Sequence, residues 1–225
     1  MRLCFFYFEF LKNKRMNFFL LFAIILFLQF SLFAENPEKK FAFAGYTGGM
    51  MVHTGYMKSA VFLVKDTEEQ MHNKQIEGMP FGMGGALKFQ FGKHFRVGME
   101  GYMTKIVYEK RGSIFRQGWG GVLADGLWKF GKWTPFVGVC FGGGQVTNLL
   151  FLTTSSDSYI ADAKVAYQQY PVFLFNPSLG IEFSITPKLT LVFKTEYQVS
   201  LKKREPDQPN AVRFYFGAFF NRVKN

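Results

Sequence analysis

Cysteine is nearly missing from this chain: 225 residues hold two, Cys4 and Cys140, and the first lies in the leading segment. No disulfide framework can be built from them. Histidine is scarce as well. His53, His72 and His94 are not at metal-ligand spacing, and a lone Cys140 cannot complete a zinc site. No glycine-rich phosphate loop is present; Gly142, Gly143 and Gly144 stand inside an alternating stretch, where a bulge or a close backbone approach is expected. No apolar run after Ala34 reaches the roughly 20 residues that a helical membrane span needs. Acids are outnumbered, 16 against 27 Lys and Arg, yet the bases are scattered over turns, loops and tail. Scattered bases argue against nucleic acid and fit an anionic membrane surface. No cofactor, metal centre or nucleic-acid partner is expected.

What the chain does have begins with one long apolar run, Phe18 to Phe33, preceded by Lys12, Lys14 and Arg15 and closed by the small Ala34. A basic region, an apolar core and a small residue at the cleavage point make a secretory signal peptide. Residues 1–34 are therefore expected to be removed, with Met16 the expected initiator and residues 1–15 an over-extended start. An uncleaved N-terminal anchor is the alternative. Residues 35–225 are the size of one domain and carry a net charge of +8, since four bases and one acid fall in the leader.

Beyond the leader the apolar residues alternate. Leu189, Leu191, Phe193, Thr195, Tyr197, Val199 and Leu201 share one face of a strand, and Thr190, Val192, Lys194, Glu196, Gln198 and Ser200 share the other. Phe173, Phe175, Leu179, Ile181, Phe183 and Ile185 alternate in the same way with Asn176, Ser178, Gly180, Glu182 and Ser184. Thr186, Pro187 and Lys188 turn one strand into the next. Each arm has about a dozen residues, and a tilted strand crosses a bilayer in about 9–11.

The same pattern predicts eight strands, near residues 40–57, 81–91, 95–108, 118–130, 133–146, 172–185, 189–201 and 211–223. The connections at 92–94, 131–132 and 186–188 are short. Those at 58–80, 109–117, 147–171 and 202–210 are long. Short turns on one side and long loops on the other are the asymmetry of bacterial outer-membrane barrels. Closure is a physical requirement, because an open edge in lipid leaves unpaired N–H and C=O groups at several kcal/mol each, roughly. Eight strands enclose a space just wide enough for side chains to fill, which predicts a plugged lumen.

The alternating strands, the loop asymmetry and the Phe-rich last strand (Arg213 to Phe220) resemble the small eight-stranded outer-membrane barrels of the OmpA/OmpX/OmpW type. The resemblance covers residues 40–223. It implies an all-β fold, an eight-stranded antiparallel up-and-down transmembrane β-barrel preceded by a signal peptide, in the bacterial outer membrane. Many such barrels end on an aromatic residue, whereas Asn221 to Asn225 follow Phe220 here.

A soluble lipocalin-like barrel shows the same period with its apolar face inward. The composition of the two faces favours lipid outside: one carries bulky Phe, Leu, Met and Val, the other Gly, Ala, Ser and Thr with sparse charges. Aromatics also gather near strand ends, with Phe91, Phe95, Phe130 and Trp133 by the short turns and Tyr56, Phe81, Tyr108, Trp119 and Tyr197 by the long loops. These are the expected interfacial girdles. Lys88, Arg96, Glu100, Asp125, Glu182, Lys194, Glu196 and Arg213 fall on the small, polar face. They are expected to form a structural charge network in the lumen, the sharper alternative being a gated ion path. Arg213 is the expected partner of Glu196.

The function read from these features is non-enzymatic, in envelope structure or surface interaction. The expected partners are outer-membrane lipid and lipopolysaccharide, the barrel-assembly machinery and a surface protein. One alternative is binding or passage of a small hydrophobic molecule through a narrow barrel. Another is a lipid-modifying barrel enzyme, for which the sequence offers no nucleophile, base and orienting acid at a working spacing. The apolar segments at 59–64 and 149–152 either extend the barrel as a protruding sheet or line the mouth of a pocket.

Overall fold

Every stretch with the two-residue period forms a strand, because alternate side chains of an extended chain leave the pleat on opposite sides. The structure, a computed structural model, describes residues 42–65, 71–108, 112–151, 165–201 and 208–223. The expected signal peptide, the start at Met16 and the polar tip at 155–158 lie outside the described residues. In chain order the strands are β1 (Phe43–Lys58), β2 (Phe62–Lys65), β3 (Met71–Lys74), β4 (Glu77–Gly78), β5 (Phe81–Phe91), β6 (Phe95–Tyr108), β7 (Ser113–Leu127), β8 (Trp133–Phe151), β9 (Val165–Thr186), β10 (Leu189–Ser200) and β11 (Asn210–Val223).

Eight of these, β1 and β5 to β11, pair in an antiparallel meander, and β11 returns to pair with β1 from Gly45↔Val223 to Lys58↔Asn210. The sheet is a closed barrel without a free edge along that seam. Gly92 and Gly131, with φ of 61° and 60°, supply the left-handed residue that two of the short turns require. In the third, the Thr186 hydroxyl accepts the Leu189 N–H at 3.0 Å. Phe43 pairs with Phe91 and Gly45 with Val223, so both described ends of the barrel lie on the short-turn side.

The other end is taller than the sequence pattern implied. Strand β7 begins at Ser113 rather than near 118, and the β8–β9 ladder runs on to Phe151↔Val165, so both described flanks of the connection expected at 147–171 are strand. Of the apolar segments left open by the sequence, Phe62–Lys65 pairs with Met71–Lys74, and Leu149 to Phe151 continue β8. Both extend sheet. The Gly142–Gly144 stretch contains no bulge; its register with β7 and β9 is unbroken. A close approach is what those glycines provide, since a Cβ at Gly144 would stand 2.8 Å from the Trp119 Cβ.

Outward positions form an apolar belt in which Met50, Met103, Val122, Phe141, Leu179 and Phe216 are more than half exposed. Phe130 and Trp133 at the short-turn end, and Tyr56, Phe81 and Tyr197 toward the other, are exposed at the places expected for girdles. Tyr108 and Trp119 are not. Both are buried in the lumen, because they share the parity of Thr104 and Gln117, and height along a strand does not set which face a side chain takes. Four outward glycines, Gly85, Gly101, Gly120 and Gly143, are successive register partners across β5 to β8, a row without side chains on the belt. Inward glycines do another job: Gly180 faces the Phe136 ring and Gly217 faces Met51, where an added Cβ would come within 2.5 Å.

Candidate functional site

The lumen holds most of the chain's described polar chemistry, and alternation puts it there. Lys88, Arg96, Glu100, Asp125, Glu182, Lys194, Glu196 and Arg213 are all buried on inward positions of β5, β6, β7, β9, β10 and β11. They group at successive heights.

Nearest the short turns, Arg96 donates from Nε to Asp125 Oδ1 at 2.6 Å and from Nη1 to Glu182 Oε2 at 2.8 Å. Lys88 donates to the other Asp125 oxygen at 2.8 Å, and its ammonium lies 4.4 Å from the Phe136 ring centroid. Two cations and two anions close on themselves. A guanidinium suits this place because its planar fork serves two carboxylates at once. One level further, Lys194 Nζ reaches Glu100 Oε2 at 2.7 Å and Glu196 Oε2 at 3.0 Å, and stands 4.4 Å above the Tyr215 ring. The Tyr215 hydroxyl donates to the remaining Glu196 oxygen at 3.1 Å. Between the two groups is a cavity of 10 Å³, about the size of one water.

Arg213 departs from expectation. It is the register partner of Glu196, yet its Nη2 donates to Gln117 Oε1 at 2.7 Å and Lys194 takes the carboxylate. The Arg213 chain is long enough to reach across the lumen, whereas Lys194 sits two residues from Glu196 on the same face. Around Arg213 lies a neutral polar level: Gln198 donates to Gln117 at 3.3 Å, and the His53 ring bonds Thr104 at 2.9 Å through Nε2. The histidine packs between the rings of Tyr102 and Tyr215, with centroids at 5.7 and 4.8 Å.

Both ends of this stack are closed differently. At the outer end Met57, Ile76, Ile106, Tyr108, Phe115 and Leu150 join the buried apolar cluster. Ile76 comes from the connection between β3 and β4. It is tied down by Ser59, whose N–H donates to the Ile76 carbonyl at 2.8 Å and whose Oγ accepts the Ile76 N–H at 2.9 Å. Below the charges, the short-turn mouth keeps a cavity of 160 Å³ lined by Thr47, Gln90, Lys129, Thr134, Ser184 and Asn221, with Arg96 on its wall. Burial, then the nearby Arg96 charge, holds the Lys129 ammonium below its usual range.

Sequence reasoning named the eight charges and missed the groups that surround them. Tyr102, Gln117 and Tyr215 carry the same two-residue parity, and that signal was available. Ile76 was not legible, since the connection that carries it has no period. Among the described residues no group of three or more His, Cys, Asp or Glu could hold a metal ion.

A closed eight-stranded meander, apolar outside and ion-paired inside, is a transmembrane barrel of the bacterial outer-membrane type. No protein-family model and no curated protein sequence matches the chain. Solved structures do. The chain is similar to Neisserial surface protein A at 11% identity, with 78% of this chain and 96% of that one covered and a TM-score of 0.54. It is likewise similar to the outer membrane protein OprG from Pseudomonas aeruginosa at 9% identity, covering 84% and 100%, also with a TM-score of 0.54. At such identities the likeness is one of fold.

Proposed function

We propose that this barrel is a closed, non-enzymatic component of the outer envelope whose work is done on its outward-projecting sheet. The observation that carries the reading is the length of β8 and β9, at 19 and 22 residues. A membrane strand uses about 9–11, so roughly half of this hairpin stands beyond the hydrocarbon. Its β9 arm pairs with β8 from Val165 onward, whereas the ladder to β10 begins only at Leu174. Among the described residues the backbone from Val165 to Val172 has no strand paired on its other side, an edge of the kind that accepts a strand from another protein. The ion-paired lumen supports the same reading, because moving an ion through it would first require breaking buried pairs.

Replacing residues 148–168 by an Asn-Gly turn tests the proposal. The shortened barrel should still fold in detergent, and cells carrying it should lose the surface attachment or agglutination given by the full chain. In planar bilayers the intact protein should show no steady conductance. Steady single-channel current, or release of fatty acid from added lipid, would overturn the reading.

A further inference from the structure

Two cations face each other on the outside of the barrel. Lys105 on β6 and Arg116 on β7 are direct register partners, both exposed on outward positions. Lys105 lies between Met103 and Val107, which are 70% and 57% exposed on the same face. On their flanks the next register partners are Phe81 on β5 and Thr147 on β8, neither charged. Among the described residues neither cation has an ion-pair partner, and the acids of the barrel strands, Glu100, Asp125, Glu182 and Glu196, are all buried inside.

Like charges directly opposite on a sheet destabilise it, with Cβ atoms about 4.5–5.5 Å apart. The repulsion grows beside hydrocarbon, where the dielectric is low. Such a pair is relieved by an anion held between its members. The height is informative too. Lys105 is three residues short of the end of β6 at Tyr108, and Arg116 three residues past the start of β7 at Ser113, both on the long-loop side. The exposed Phe81 beside them marks the edge of the apolar belt. The next outward position below Arg116 is Gly118, where an added Cβ would meet nothing within 4 Å, so space adjoins the pair.

Resting on the outer-membrane reading of the fold, we propose that Lys105 and Arg116 clamp a phosphate of the phosphorylated glycolipid of the outer leaflet. The Arg116 fork takes two phosphate oxygens and the Lys105 ammonium a third. Charge complementarity selects the phosphate, and the position at the belt's outer edge selects a lipid over a soluble source.

The test uses the full barrel folded in neutral lipid vesicles, with bisphosphorylated lipid A or its dephosphorylated form titrated in and retention measured after re-isolation. The wild type should retain the phosphorylated form at least about tenfold better than Lys105→Gln/Arg116→Gln. The dephosphorylated form should not distinguish them, and Lys93→Gln/Lys132→Gln, at the short turns, should bind as wild type does. Equal retention by wild type and the Lys105/Arg116 variant would overturn the clamp, as would full competition by millimolar inorganic phosphate. Failure of the wild type to fold into vesicles at all would overturn the membrane reading, and the clamp with it.

Discussion

Lys194 is the residue on which the middle of the lumen depends. It is the one described cation within ion-pair distance of either Glu100 or Glu196, so Lys194→Met leaves two buried carboxylates side by side. Removing one partner of a buried pair costs about 3–5 kcal/mol, and urea unfolding in lipid vesicles should register a loss of that order for this substitution. Glu196→Ala should fall toward the lower end, because Lys194 keeps Glu100. Tyr197→Phe, at an outward position one residue on, should stay within about 0.5 kcal/mol. A silent Lys194→Met would mean that water already reaches the site. The parity that buries these charges was legible from the sequence. The pairing was not: which of two cations takes a carboxylate depends on side-chain reach across a curved interior, and Arg213 and Lys194 differ in that, not in parity.

At the scale of the element, each barrel strand has one face for lipid and one for the lumen, and a substitution is judged by which face receives it. Phe193 is 47% exposed on the outward side of β10. Phe193→Lys should cost about 2–4 kcal/mol in vesicle-based unfolding, the range for a cation near the bilayer midplane. A negligible cost would place that face in water. The outer connection obeys other rules. Strand β4 is fastened to β1 where Glu77 accepts the Tyr56 hydroxyl and pairs with Lys58 at 3.0 Å. Hydrogen bonding from Tyr56, then from Lys58, holds the Glu77 carboxyl below its ordinary value of 4.5. A depressed folded value stabilises the docked form above the unfolded value, and that contribution disappears as pH falls through the folded one. The protection factor of the Ile76 amide, its exchange rate relative to an unstructured peptide at the same pH, should therefore fall on acidification below about pH 4.5. A protection factor that stays flat through that range would separate the cap from Glu77. These outer elements were the least legible part of the fold. Thr147, Asn148 and Gln168 to Tyr170 read as polar loop, although the ladder continues through them because each strand has the other to pair with.

For the molecule as a whole, the number of barrel strands, meander order and the side holding both described ends of the barrel followed from period and turn chemistry, since closure in lipid leaves few other solutions. The leader is read from sequence alone. Export should yield a mature chain beginning at Glu35 or within a few residues of it, as N-terminal sequencing of the membrane-extracted protein would establish. A mature protein that still carries residues 18–33 would make the leader an anchor. The arrangement of lumen charge has an electrical consequence. Lys88 and Arg96 are balanced by Asp125 and Glu182, and further along Lys194 and Arg213 by Glu100 and Glu196. A field across the membrane does work on a protein in proportion to the net charge it can displace, about 2.3 kcal/mol per elementary charge per 100 mV. With the eight charges together summing to zero, there is almost no net charge for voltage to pull on.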